Sequence, residues 1–234
     1  MDPLRQSGYE VHGVALPSVG STNASVGLPD DAAALRAELE RLADEKGENI
    51  VMVVHSYGGM VGSSAVEGLG RRTRHAQGKK GGVVMLVYMC ALAVDVGVSV
   101  LGSVGGVSPP WVRVQGDFLY PVEPAKIFYA DVPADVPADL TQKAVAALRS
   151  ETARSYDDVA TYAPWADGVE VGYFFTEQDQ AVPREAQTQF AAKFPPGSFS
   201  RTFNSSHSPF LSMPSHVVEA VKLAAEHGMS KNLV

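Results

Sequence analysis

The stretch "NIVMVVHSYGGMVGS" spans residues 49–63. Ile50 to Val54 is a continuous apolar run, the kind that is buried on both faces of a parallel sheet. A serine follows, then two glycines, and then small residues that suit a helix from Gly58 to Leu69. A strand, a sharp turn carrying a serine and a helix form an arrangement that lifts a nucleophilic hydroxyl above a sheet. The usual pattern is G-x-S-x-G, and Val54 stands where its first glycine would be. The Val54 Cβ is expected to crowd the turn without touching the chemistry. Gly58 is expected to let the helix pack close to the strand, with Gly59 easing the same crowding. The turn also aims the Tyr57 backbone N–H and the helix N-terminus at the serine, as donors for an oxyanion.

Working outward, strand and helix signals alternate. Tyr9 to Ala15 reads as a strand ended by Leu16-Pro17, and Ser18 to Gly27 as a loop. Pro29-Asp30-Asp31 opens a helix whose apolar residues recur at Leu35, Leu39 and Leu42, and Gly47 stops it. Arg71 to Lys80 carries five Lys/Arg and a His, and reads as a solvated surface loop before the next strand, Val83 to Met89. Strands are then expected at Val169 to Thr176 and Phe199 to Asn204, with helices at Arg184 to Phe194 and Ser215 to His227. This order implies an α/β fold with a doubly wound, mostly parallel sheet flanked by helices. Residues 91–165 lose the rhythm. They are rich in Val, Gly, Pro and Ala, with a helix near Leu140 to Ser150, and read as a cap insertion rather than sheet. The domain reading is therefore a core of residues 1–90 and 166–234 and a cap of residues 91–165.

Ligand sites in such sheets lie beyond the carboxyl ends of the strands. Ser56, Asp179 and His207 each follow a strand, in that chain order. A serine hydroxyl needs a base within hydrogen-bond reach, an imidazole has a suitable pKa, and a carboxylate behind it fixes the tautomer. Glu177 shares the loop with Asp179, which is favoured because it lies farther in. His55 packs beside the turn, within reach of a substrate. His12 falls in a strand, His75 in the basic loop, and His216 and His227 on the last helix.

The motifs "VVHSYGGMVG", "VYMCALAV", "KIFYADVP", "YFFTEQDQAVP...Q" (the last residue being Gln187) and "SSHSPFLSMP" together resemble the α/β-hydrolase superfamily. Within it the chain is similar to small esterases of the plant methylesterase and hydroxynitrile lyase group and their fungal and bacterial relatives. The resemblance implies Ser56 as nucleophile, His207 as base, Asp179 as acid, and neither metal nor organic cofactor. It places the acyl or alcohol pocket in residues 91–165, with Trp111, Phe118, Tyr120, Phe128 and Tyr129 as pocket or cap-core residues. In that family earlier strands and a glycine-rich loop precede the Tyr9 strand, and the loop supplies a second oxyanion donor. Only eight residues precede Tyr9 here, so the expectation is an N-terminally shortened fold lacking that loop.

Composition narrows the function classes. A net charge of −7 gives no reason to expect nucleic acid as a partner. Cys90 is the single cysteine, which excludes a disulfide framework and a Cys-based zinc site. Neither a signal peptide nor a membrane span is legible, so a cytoplasmic protein is expected. The expected partner is a small ester-like molecule, with a homodimer also allowed. The leading functional expectation is a serine hydrolase cleaving a small carboxylic ester or lactone through an acyl-serine. The alternatives are a lyase or biosynthetic cyclase using the His207 base without an acyl-enzyme, and a non-catalytic ligand-binding homologue.

Overall fold

The computed structural model describes residues 2–129 and 136–232. Among these, the main sheet has four parallel strands, β1 (Asn49–His55), β2 (Gly82–Met89), β6 (Val171–Thr176) and β7 (Phe199–Phe203), in the order β1-β2-β6-β7. A second sheet of three short antiparallel strands, β3 (Val112–Gln115), β4 (Phe118–Pro121) and β5 (Glu151–Thr152), lies between β2 and β6 in the chain. The helices in chain order are α1 (Asp2–Gln6), α2 (Leu28–Glu40), α3 (Gly58–Ala65), α4 (Arg71–Ala76), α5 (Val100–Ser103), α6 (Pro124–Tyr129), α7 (Ala138–Ala147), α8 (Arg154–Asp157), α9 (Arg184–Ala191), α10 (Pro209–Ser212) and α11 (Pro214–Asn232). A π-helical turn, Arg41–Glu45, extends α2.

The sheet order explains the layering. Successive main-sheet strands step in one direction, so right-handed crossovers place their helices on one face. The other face is left for α11, which follows the last strand. Strand β2 is buried along its whole length and serves both layers. Its Leu86 and Tyr88 join Met52, Val54, Ala65 and Phe194 in one core. Its Met85 and Val87 join Phe174, Val217, Val221 and Ala224 in the other. This is the two-sided burial that a continuous apolar strand requires.

Three expectations change. Tyr9 to Ala15 forms neither helix nor strand and belongs to no ladder among the described residues. Strand β1 is a sheet edge among the described residues, with Val53 38% exposed, and no strand lies beyond it to receive this segment. The segment runs over the surface instead, held by an ion pair from Glu10 to Lys46 (2.6 Å) and by the His12 ring against Glu38 (2.9 Å). The basic stretch after Gly70 is a helix, not a loop. Arg74 is buried there, with its guanidinium on Asp44 (2.6 Å) and on the carbonyls of Lys80 and Gly81. Finally, residues 91–165 do contain sheet. The β3–β4 hairpin turns through two residues, Gly116 and Asp117, with Gly116 at φ +59°, the conformation that such tight hairpins require at their first loop position. The "KIFYADVP" motif is described only as far as Tyr129, and its remaining residues lie outside the described ones.

Candidate active site

Ser56 occupies the turn between β1 and α3 with φ +55°, a left-handed conformation that a non-glycine residue adopts at a cost. Main-chain contacts hold it there. Its carbonyl accepts hydrogen bonds from Gly59 N (3.0 Å) and Leu92 N (3.1 Å). Of the two glycines expected to permit this turn, Gly59 does so and Gly58 does not. A Cβ on Gly58 would meet nothing within 4 Å. On Gly59 it would lie 2.4 Å from the Leu92 carbonyl oxygen, and on Gly62 2.5 Å from Val54 Cγ1. Gly59 therefore lets α3 approach the chain leaving β2, and Gly62 opens the space that the Val54 side chain fills. The tight packing assigned to Gly58 belongs to these two. Among the described residues the Tyr57 N–H makes no hydrogen bond to protein, while the Tyr57 hydroxyl donates to Asp31 (2.9 Å).

Asp179 and His207 meet in the loops after β6 and β7. His207 Nδ1 lies 2.8 Å from Asp179 Oδ2, and the two side chains are 3% and 0% exposed. Asp179 Oδ1 accepts from the backbone N–H groups of Ala181 (2.9 Å) and Val182 (2.8 Å), and Oδ2 from the Thr176 hydroxyl (2.8 Å). Burial alone would raise the Asp179 pKa. The facing His207 and these donors outweigh it, and the carboxyl sits below its ordinary value. An ionised Asp179 only accepts, so Nδ1 carries the His207 proton and a neutral ring presents an unprotonated Nε2. Glu177, the other acid of the loop, points outward to Arg184 (3.3 Å).

Gln187, fully buried on α9, ties this corner together. Its amide donates to Val182 O (2.7 Å) and to Thr176 Oγ1 (3.0 Å), and it accepts from Thr176 N (2.9 Å). The sequence motif that starts at Tyr173 runs on to Gln187, but the sequence gives no sign of this bracing role.

His55 ends β1, and its ring centroid is 4.4 Å from that of His207. Burial, with the neighbouring His207 charge, pushes its pKa down to about 3, so the neutral ring donates from Nε2 to His207 O (2.7 Å). Its contacts bear on the His207 loop. Phe128 on α6 packs its ring 5.7 Å from His207 and 5.6 Å from Trp111. Tyr129 is buried edge-on against Phe128 at 6.0 Å. Phe118 pairs with Gln115 and Thr152 in the small sheet, and among the described residues it makes no ring contact with this group. No hydrogen bond joins Ser56 Oγ to His207 among the described residues. His55, Cys90 and His207 place possible ligand atoms within 4.8 Å of one another. Burial raises the Cys90 thiol well above its usual pKa, and the thiol donates to His207 O (3.5 Å).

The profile described as the alpha/beta hydrolase family matches residues 1–221. The chain belongs to the α/β-hydrolase family. It is 31% identical over 232 residues to the alpha/beta hydrolase nvfD of Aspergillus novofumigatus, covering 95% of this chain and 88% of that protein. Among solved structures it resembles a pyrethroid hydrolase from Sphingobium faniae JZ-2, with a TM-score of 0.71 at 20% identity, covering 96% of this chain and 89% of that one. It also resembles the methylesterase MES16 from Arabidopsis, with a TM-score of 0.69 at 21% identity, covering 97% and 91%. At such identities these structures establish the α/β-hydrolase fold. Among the described residues no helix is long and apolar enough to cross a membrane.

Proposed function

We propose that this α/β-hydrolase is a serine esterase that cleaves a small carboxylic ester or lactone through an acyl-Ser56 intermediate. The observation that carries the reading is the buried His207–Asp179 pair at 2.8 Å, formed by loops that follow neighbouring strands of the sheet that also delivers Ser56. In this reading His207 Nε2 takes the Ser56 proton as the hydroxyl attacks the ester carbonyl, then returns it to the leaving alcohol. Asp179 stabilises the imidazolium, and the free Tyr57 N–H donates to the oxyanion. The neutral His55 fixes the main chain of the His207 loop. Residues 91–165 act as a cap, with Trp111 and Phe128 forming the wall nearest the base. The small-ester preference is supported by the likeness to a methylesterase and a pyrethroid hydrolase.

Steady-state hydrolysis of a panel of 4-nitrophenyl and methyl esters tests the proposal. Wild type is expected to turn over at least one, and Ser56→Ala to lose roughly 10⁴–10⁶ in kcat. Equal turnover by the two proteins would refute it. A second reading draws on the missing Ser56–His207 hydrogen bond: a lyase or cyclase in which His207 alone moves the proton. Under it Ser56→Ala keeps a substantial share of activity and no acyl-enzyme can be trapped.

A further inference from the structure

Asp31 is a fully buried acid with no part in the His207–Asp179 pair. Helix α2 does not need it as a cap. Its neighbour Asp30 does that work by accepting from the Gly27 N–H (2.9 Å), and Asp158 accepts from the Leu28 N–H (3.0 Å). Asp31 engages a different part of the chain. Its Oδ1 accepts from the Ser18 N–H (2.8 Å), and its Oδ2 from the hydroxyls of Ser18 (2.6 Å) and Tyr57 (2.9 Å). Among the described residues it forms no ion pair. A buried carboxyl without a cation beside it is costly to keep and calls for a reason.

The Tyr57 hydroxyl connects this acid to the nucleophile turn. The peptide unit between Ser56 and Tyr57 carries the Tyr57 N–H, and a peptide unit is planar and rigid. One end of the plane is fixed through the Ser56 carbonyl, which accepts from Gly59 N and Leu92 N. The other end is the Tyr57 Cα, whose side chain ends on Asp31. The Tyr57 ring packs in an apolar group with Leu28, Met60, Leu92 and Val94. Such packing is non-directional, so the hydroxyl bond fixes how the ring is aimed. The restraint has work to do, because Ser56 at φ +55° holds a conformation that persists only when its surroundings enforce it. Ser18 extends the brace into the small sheet, where its carbonyl accepts from Thr152 N (3.3 Å) of β5.

We infer that Asp31 is a positioning residue for the oxyanion donor: through the Tyr57 hydroxyl it holds the Tyr57 N–H where charge develops on the ester oxygen. The inference rests on the esterase reading for the use made of that N–H. Asp31 itself touches no reacting atom. Losing an oxyanion donor outright costs about 10²–10³ in kcat, and a donor that is kept but badly aimed costs less.

Three folded variants test the inference. Y57F removes the hydroxyl, and D31N keeps the shape but replaces an accepting oxygen with an N–H donor. S18A is the control, because it removes an equally buried hydroxyl from the same Asp31 oxygen without touching Tyr57. With 4-nitrophenyl butanoate, Y57F and D31N are expected to lose roughly 10-fold in kcat, with KM within about twofold of wild type. Trifluoromethyl propyl ketone reports the oxyanion directly. Ser56 Oγ adds to its carbonyl, the Ser56 proton passes to His207, and the former carbonyl oxygen is left as the oxyanion. Its affinity should fall by the same factor in Y57F and D31N and stay near wild type in S18A. Wild-type kcat and ketone affinity in Y57F and D31N would overturn the inference, as would an equal loss in S18A. Should D31N not fold, Y57F alone carries the comparison. If wild type hydrolyses neither this nor any other ester of the panel, it is the esterase reading that has failed. The backbone amide at position 57, followed by NMR in nitrogen-15-labelled protein, then decides the positioning. A lower order parameter in Y57F or D31N than in wild type and S18A supports it, and equal values overturn it.

Discussion

The two halves of the candidate catalytic group are held by different forces. On the base side, Asp179 is fixed by side-chain and backbone donors from Thr176, Ala181, Val182 and His207, with Gln187 bracing the loop. On the nucleophile side, Ser56 is fixed by its own carbonyl and by how closely α3 can approach Leu92 and Val54. The base side is a hydrogen-bond network, so exchanging one polar atom should break it. The nucleophile side is a steric fit, so adding one methyl group should break it.

The largest effects are expected from chemical changes on the base side. His207→Ala should lower kcat for an ester by about 10⁴–10⁶. Asp179→Asn retains the shape but loses the ionised acceptor. It should cost on the order of 10⁴ in kcat, the loss seen for this change in serine proteases. Ester assays on folded variants check both.

Steric changes come next. Gly59→Ala should destabilise by about 1–3 kcal/mol or more, because its Cβ would sit 2.4 Å from a backbone oxygen that cannot move freely. Gly58→Ala should stay within about 0.5–1 kcal/mol of wild type, since nothing lies within 4 Å. Urea midpoints measure the difference, and equal losses would sink the steric account. Gly62→Ala should also destabilise by roughly 1–3 kcal/mol, and Val54→Ala in the same chain should recover part of that loss, because the new methyl meets Val54 Cγ1 itself.

The smallest expected effect is in pH dependence. The Asp179 pKa is lowered in the folded protein, so its contribution to stability is present above the ordinary carboxylate value of 3.8 and is lost as pH falls through the lower folded value. The stability gap between wild type and Asp179→Asn should therefore be full at pH 6 and shrink below pH 4. A gap that widens on acidification would contradict the charge assignment.

Much of this arrangement was legible in the chain. The continuous apolar runs at β1 and β2 announce strands buried on both faces. Asp179 and His207 follow β6 and β7, where the crevice rule for any parallel sheet looks for site residues. What the sequence hid were matters of contact. Gly58 and Gly59 are adjacent and look equivalent, and only the proximity of Leu92, more than thirty positions away, tells them apart. Tyr9 to Ala15 has a strand's alternation, but a strand also needs a neighbour, which no local pattern reports. The β3–β4 hairpin did carry a local signal in Gly116-Asp117, obscured by the irregular Gly- and Pro-rich chain around it.

The central claim is that Ser56 is a nucleophile activated by the His207–Asp179 pair. Its most direct test is to treat the folded protein with a fluorophosphonate and locate the adduct by peptide mass spectrometry. The account predicts a single phosphonylated residue, Ser56, with labelling slowed severely in His207→Ala and absent in Ser56→Ala. A folded protein that takes up no label, or takes it up elsewhere, would contradict it.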